Sequence, residues 1–201
     1  MAWIHTNASL NLEQMQNNAV EFLSYFTTSA TISDATYNAV AGMLGVLQSE
    51  STINPGRWEG GVEYGQPPSN YGYGLAQWTP WTKVSDYYGS TDLDNMPDWL
   101  QCELIYVGLT TGSQWFANDF ASPVNPPING VEFLHSDLPP STLAKYFLWY
   151  FEHPSESVLP TREAQDSANA EYWYKYITGV DPPKPHKPRK SMPIWFYLRP
   201  W

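Results

Sequence analysis

Ser33-Asp-Ala-Thr-Tyr37-Asn-Ala-Val-Ala-Gly42-Met-Leu-Gly-Val-Leu47-Gln-Ser-Glu50-Ser51 is the stretch on which the fold turns. Tyr37, Val40, Ala41, Leu44 and Leu47 recur at helical spacing, and a start at Ser33 puts Asp34 in the first turn, where its charge complements the helix dipole. Met43 and Val46 widen the apolar surface beyond one stripe, so the spacing predicts a central helix buried on most of its circumference. That helix ends on an acid, Glu50. A carboxylate at a helix C-terminus is disfavoured by the dipole, so its presence there asks for a reason.

Before this segment, Leu12, Met15, Ala19, Phe22, Leu23 and Phe26 mark a first amphipathic helix that Ser9 or Asn11 can cap. After it, residues 51–80 lose the helical period. Gly56, Gly60, Gly61, Gly65, Gly72 and Gly74, with Pro55, Pro67 and Pro68, read as loop and a short antiparallel hairpin. A third helix is expected after Pro97, using Leu100, Leu104 and Val107. A fourth is expected after Pro139-Pro140, using Leu143, Ala144, Phe147, Leu148 and Phe151 and stopping at His153-Pro154. The last runs from about Thr161 to Ile177, with Gly179 as its C-cap. The stretch from Ser122 to Gly130 reads as loop, and no internal repeat is visible. The fold class expected is therefore α+β, mostly α, with a small β-hairpin lobe.

The chain has 201 residues with a formal charge of −10, and 42% of them are hydrophobic. That is enough for one substantial core. Residues 1–180 hold 19 acidic and 5 basic side chains, whereas 181–201 hold 1 acidic and 5 basic. An acidic body repels nucleic acid and anionic polymers and leaves neutral sugars as the better ligand class. Its single cysteine, Cys102, excludes an intrachain disulfide. No run of about 18 apolar residues suggests a membrane span, and the first thirty residues carry no recognisable secretory leader. Residues 181–201 form a basic, proline-rich tail ending in Trp195, Phe196, Tyr197 and Trp201. We read it as a docking peptide, with residues 191–201 as its anchor.

Glycoside cleavage needs a proton delivered to a poor leaving-group oxygen, which a carboxylic acid in a buried setting can provide. Glu50 sits where such a setting is available, with Leu47 and Met43 one and two turns back on the helix. Tyr71-Gly-Tyr-Gly-Leu-Ala-Gln-Trp78 then returns with glycines that let backbone approach a sugar and an amide, Gln77, that can bond beside the acid. Trp58, Tyr64, Tyr71, Tyr73, Trp78 and Trp81 crowd the same region. They serve either as platforms for sugar C–H faces or as the core of the lobe.

The string Glu50-Ser51, Asn54-Pro55 and Gly74-Leu75-Ala76-Gln77 resembles the Glu-Ser and Gly-Leu-x-Gln signature of goose-type lysozymes and lytic transglycosylases. The fuller pattern is more similar still to the phage tail lysozymes, a family that includes the lysozyme domain of tail-knob wall-degrading proteins of small podoviruses of Gram-positive hosts. It runs from Gly42-Met-Leu-Gly45 through Gln48-Ser-Glu-Ser-Thr-Ile-Asn-Pro-Gly56 to Gly74-Leu-Ala-Gln-Trp-Thr-Pro80, with Tyr150-Phe-Glu152, Arg162 and Ala170-Glu-Tyr-Trp-Tyr-Lys175 following. The similarity spans roughly residues 10–178.

What the resemblance implies is a lysozyme-like catalytic domain over residues 1–180, with a cleft between lobes and Glu50 as the catalytic acid. It implies a place in the virion tail, bacterial peptidoglycan as substrate and other tail or knob proteins as partners. Gln77, Tyr73, Gly74, Trp78, Trp58 and Tyr71 are the expected substrate-binding residues. For the second carboxylate, Glu63 is preferred, because the resemblance places an acid thirteen positions after the catalytic one. Glu59 is second and Asp86 third, each with a solvated loop charge as the plain alternative. Hydrolysis wants such a partner at about 5–5.5 Å for retention or 6.5–9.5 Å for inversion, whereas a lytic transglycosylase can work with one acid. Glu152 and Arg162 are expected to pair with each other across the turn joining the last two helices. His5, His135, His153 and His186 lack ligand spacing, so neither metal nor cofactor is implied.

Overall fold

A computed structural model describes residues 2–29, 34–61, 68, 70–117, 124, 126–155 and 157–183. Glu63, Tyr64 and the tail anchor at 191–201 lie outside these residues. The described residues form seven α-helices: α1 (Leu12–Thr28), α2 (Tyr37–Ser51), α3 (Thr82–Tyr88), α4 (Trp99–Thr111), α5 (Gly130–Leu134), α6 (Pro140–Phe147) and α7 (Leu159–Thr178). A π turn, Leu148–Glu152, continues α6, and short 3₁₀ turns occur at Glu59–Gly61 and Leu93–Asn95.

The helix ends follow local chemistry. Asn11 caps α1 in a reciprocal box with Gln14, each side chain taking the other's backbone N–H. Thr36, rather than Ser33, caps α2: its hydroxyl accepts from Ala39 N–H, and Asp34 lies ahead of the helix. Asn129 and Glu132 form a second capping box, so Gly130, expected in a loop, instead opens α5. Gly179 closes α7 in the left-handed conformation.

Helix α2 is the centre of the packing. Every residue from Ala39 to Leu47 is buried, and the helix packs most extensively on α7 and α6. Two glycines permit this. A Cβ on Gly42 would stand 2.9 Å from Leu143 Cβ in α6, and one on Gly45 would stand 2.5 Å from the Asp166 carbonyl and 2.8 Å from Ala170 Cβ in α7. Both neighbours are helix backbone or the first carbon of a side chain, so neither can swing aside. The aromatic core, with Phe22 and Phe26 of α1, Phe133 of α5, Phe147 of α6, Phe151 of the π turn and Trp173 of α7, fills the remaining space.

The expected α+β class is not what forms. Among the described residues there is no strand, and the hairpin lobe is replaced by an irregular loop between α2 and α3. Its only β pairing, among those residues, is two isolated bridges, Trp58 with Tyr73 and Tyr73 with Trp78. The physical reason is that side chains take up much of the loop's backbone polarity. Gln101 of α4 accepts from Leu75 N–H and donates to the Pro55 carbonyl, both at 2.7 Å. Ser51 donates to the Leu75 carbonyl, Gln77 to the carbonyls of Arg57 and Gly74, and Glu59 accepts from Gly72 N–H. Backbone groups satisfied in this way do not build a ladder.

Replacing Gly45 with alanine forces α7 away from α2. The expected loss is about 1–3 kcal/mol of unfolding free energy, measured by urea denaturation, with far-UV helicity retained.

Candidate active site

Glu50 lies in the last turn of α2, whose next two residues turn sharply out of the helix. Thr52 and Ile53 have φ of 60° and 56°, a left-handed conformation that is costly for β-branched side chains. The turn is held from several directions. Asn54 donates to the carbonyls of Thr6 and Ala8 and accepts from Gly56 N–H, while the buried Ser51 hydroxyl donates to Leu75 and accepts from Asn54 N–H. The residues beside Glu50 in the signature are thus scaffold: they fix where the helix ends and where the loop begins.

Beyond this turn lies a cleft of about 500 Å³. Glu50 stands on its wall with Gln77, Trp78 and Ala76 from the loop, Glu59 and Arg57 from the loop's first arm, and Lys83 from α3. Gln114, Phe151, Glu152, Pro154 and Arg162 also line it. Of the residues expected to bind substrate, Gln77 and Trp78 reach this cleft. Trp58 and Tyr73 lie behind it with ring centres 4.6 Å apart, both buried, and serve as the loop's core. Gly74 is needed for close approach: a Cβ there would overlap Gln101 Oε1. Tyr71 is half-buried and lies off the cleft wall, and Asp86, exposed on α3, does not line it either. Glu59 is exposed and lines the cleft, its Oε2 fixed 2.8 Å from Gly72 N.

Arg162 organises the charges. Its Nη2 lies 2.6 Å from Glu50 Oε1, and its Nε lies 3.3 Å from Asp166 Oδ2, one helical turn further along α7. The pairing of Arg162 with Glu152 expected from the sequence gives way to these two bonds. A guanidinium can serve two carboxylates from one plane, and here it bridges the ends of two helices. Burial works against its charge, but Glu50 first and then Asp166 and Glu152 outweigh this and leave its pKa above the ordinary value. The second oxygen of Asp166 accepts from Ser49 Oγ at 2.5 Å. Burial nevertheless raises the Asp166 pKa to about 6, against the lowering effects of Ser49 and Arg162.

Glu152 ends the π turn, where His153 takes a left-handed φ of 53°. Burial holds its pKa well above the usual carboxylate range, the negative charge of Glu50 pushes the same way, and Arg162 opposes. Sequence reasoning misses Ser49, Lys83, Gln114 and Asp166 as site residues. Asp166 has a signal, its spacing of four from Arg162 on one helix face; for Lys83 and Gln114 only tertiary packing supplies one.

The raised pKa of Asp166 fixes the sign of a stability effect. The native state holds this proton more tightly than the unfolded chain does. The contribution is therefore full below the ordinary carboxylate range and is lost as pH rises to about 6. Thermal denaturation from about pH 4 to pH 7 should show that decline in the wild type and a flatter profile in Asp166→Asn.

Known proteins give this site a context. Residues 13–177 match the phage tail lysozyme family, a span that includes both arms of the cleft. A relative named morphogenesis protein 1, from Bacillus phage B103, is 35% identical over 175 residues, which is 86% of this chain and 42% of the relative. The chain thus spans less than half the length of that relative. No helix among the described residues is long and apolar enough to cross a membrane. With the match covering the buried helix, the loop and α7 together, the chain belongs to the phage tail lysozyme family.

Proposed function

We propose that this protein hydrolyses the glycan strands of bacterial peptidoglycan between N-acetylmuramic acid and N-acetylglucosamine, as a virion-borne enzyme that opens the host wall during infection. The observation that carries this reading is the placement of Glu50. It projects from the end of a buried helix into a cleft about the size of a few sugar rings, with a second carboxylate, Glu59, on the loop wall. Glu50 is the general acid that protonates the leaving glycosidic oxygen. Arg162 fixes its orientation and gives the ionised form left after proton transfer a partner 2.6 Å away. Trp78 and Gln77 supply the apolar face and the amide that an uncharged N-acetyl sugar requires. Glu63, preferred from the resemblance as the second carboxylate, and Glu59 are the two loop carboxylates to be distinguished by substitution.

Glu50→Gln should lower release of soluble muropeptides from purified sacculi by at least about a hundredfold, since a general acid contributes roughly 10²–10⁴. Unchanged lysis by that variant would remove the assignment. Mass spectrometry of the wild-type digest decides the reaction: reducing-end muropeptides support hydrolysis, and 1,6-anhydro products assign a lytic transglycosylase instead. The tail belongs to the same reading, as the segment that holds the domain to neighbouring tail proteins. Removing residues 181–201 should abolish incorporation into particles while sacculus digestion by the truncated protein continues.

A further inference from the structure

One half-buried acid on the cleft wall remains without a task in the proposed reaction. Glu152 lines the cleft beside Glu50, yet its Oε1 is sealed from solvent and has no hydrogen-bond donor among the described residues. Charge on that oxygen would be both desolvated and unbonded, which proteins avoid by neutralising the group. A carboxyl that carries its proton on the other oxygen leaves only a weak acceptor buried.

The charged groups around Glu152 point the same way. Glu50 faces it from α2, Arg162 and Asp166 from α7, and Lys83 from α3. Arg162 directs hydrogen bonds to Glu50 and Asp166, so this half-buried cation is already shared by two carboxylates. Lys83 is exposed, where its charge is largely screened. Burial and the charge of Glu50 both favour the protonated form of Glu152, with Arg162 and Lys83 opposing.

We propose that Glu152 is the proton store of Glu50: the two carboxyls hold one proton between them, kept on Glu152 in the free protein and passed to Glu50 when a glycan fills the cleft. The inference rests on Glu50 being the general acid. The step balances without a co-reactant. An O–H bond of Glu152 breaks and an O–H bond of Glu50 forms, directly or through one cleft water, while Arg162, whose charge reaches both acids, stays in place and offsets whichever is ionised. A sugar in the cleft removes water from Glu50 and so favours its neutral form. After Glu50 has protonated the leaving oxygen, solvent returns one proton to the pair. Glu152 is in this sense a positioning residue, since it touches the reaction only through Glu50.

The test is the pH dependence of kcat/KM on a soluble glycan chain for the wild type, Glu152→Gln and Glu50→Gln. Glutamine keeps the shape of Glu152 but holds no transferable proton. The ratio of Glu152→Gln to wild-type activity should therefore fall roughly tenfold or more between about pH 5, where protons are abundant in the solvent, and about pH 7.5. A ratio constant across the range, whether near one or uniformly low, overturns the proton store. Glu50→Gln should be inactive throughout. Activity in that variant would instead refute Glu50 as the acid, so the two failures are distinguishable. Carboxyl ¹³C NMR of the wild-type protein tests the inference even if Glu152→Gln does not fold. One glutamate carboxyl should titrate far above the ordinary range, and a spectrum in which none does overturns it.

Discussion

The close contact of α2 with α6 and α7 is the constraint from which the rest of the molecule follows. With no side chain at Gly42 and Gly45, the backbone of α2 lies directly against its neighbours, and the helix is buried through two full turns before it reaches the cleft. Three consequences meet at its end. Glu50 emerges at a fixed height, Arg162 of α7 is brought within one hydrogen bond of it, and Asp166 is pressed into the seam, where Ser49 can reach it. A looser packing would keep the helices and lose the site, because interatomic distances in the ion cluster depend on how deeply α7 seats.

The cluster also explains why an acid sits at the wrong end of a helix dipole. Glu50 is offset there by a guanidinium from another helix, and the same guanidinium answers Asp166, so one cation is shared by two acids at the edge of the cleft. Such a cluster gives little net stability, since desolvation consumes most of the attraction. Its value lies in orientation: the planar fork of Arg162 can bond both acids only in one geometry, and this holds the Glu50 carboxylate on the cleft wall.

Much of this architecture is legible in the chain itself. Leu12 to Phe26 and Tyr37 to Leu47 have unbroken helical periods, and Asn11 and Gly179 are end signals that act locally; these elements form where the spacing predicts them. Short α3 and α5 escape such a reading, because seven and five residues hold too few periods to register. The expected hairpin lobe fails for a different reason. Glycine and proline announce that a helix has ended, but whether the chain then pairs with itself depends on competitors from afar, and here Gln101, 26 residues from Leu75, is one of them. At the site, Glu50 is legible from its neighbours in sequence, and the partner of Arg162 is not. Both Glu50 and Glu152 are acids of suitable reach, and only the depth of α7 on α2 chooses between them.

Among the described residues, the loop that forms one wall of the cleft is fastened mainly by uncharged groups, with the Glu59 carboxylate on Gly72 N–H as a charged addition. Asn54, Gln77 and Gln101 clamp its two arms to each other, to the N-terminal segment and to α4, with the Ser51 hydroxyl assisting. Amide hydrogen bonds of this kind are indifferent to ionic strength and to protonation over the range in which carboxylates titrate. These bonds of the wall are therefore independent of the charge state of the acids it faces. A proton passing between Glu50 and Glu152, or salt entering the cleft, leaves them in place beneath the surface against which a sugar chain would lie.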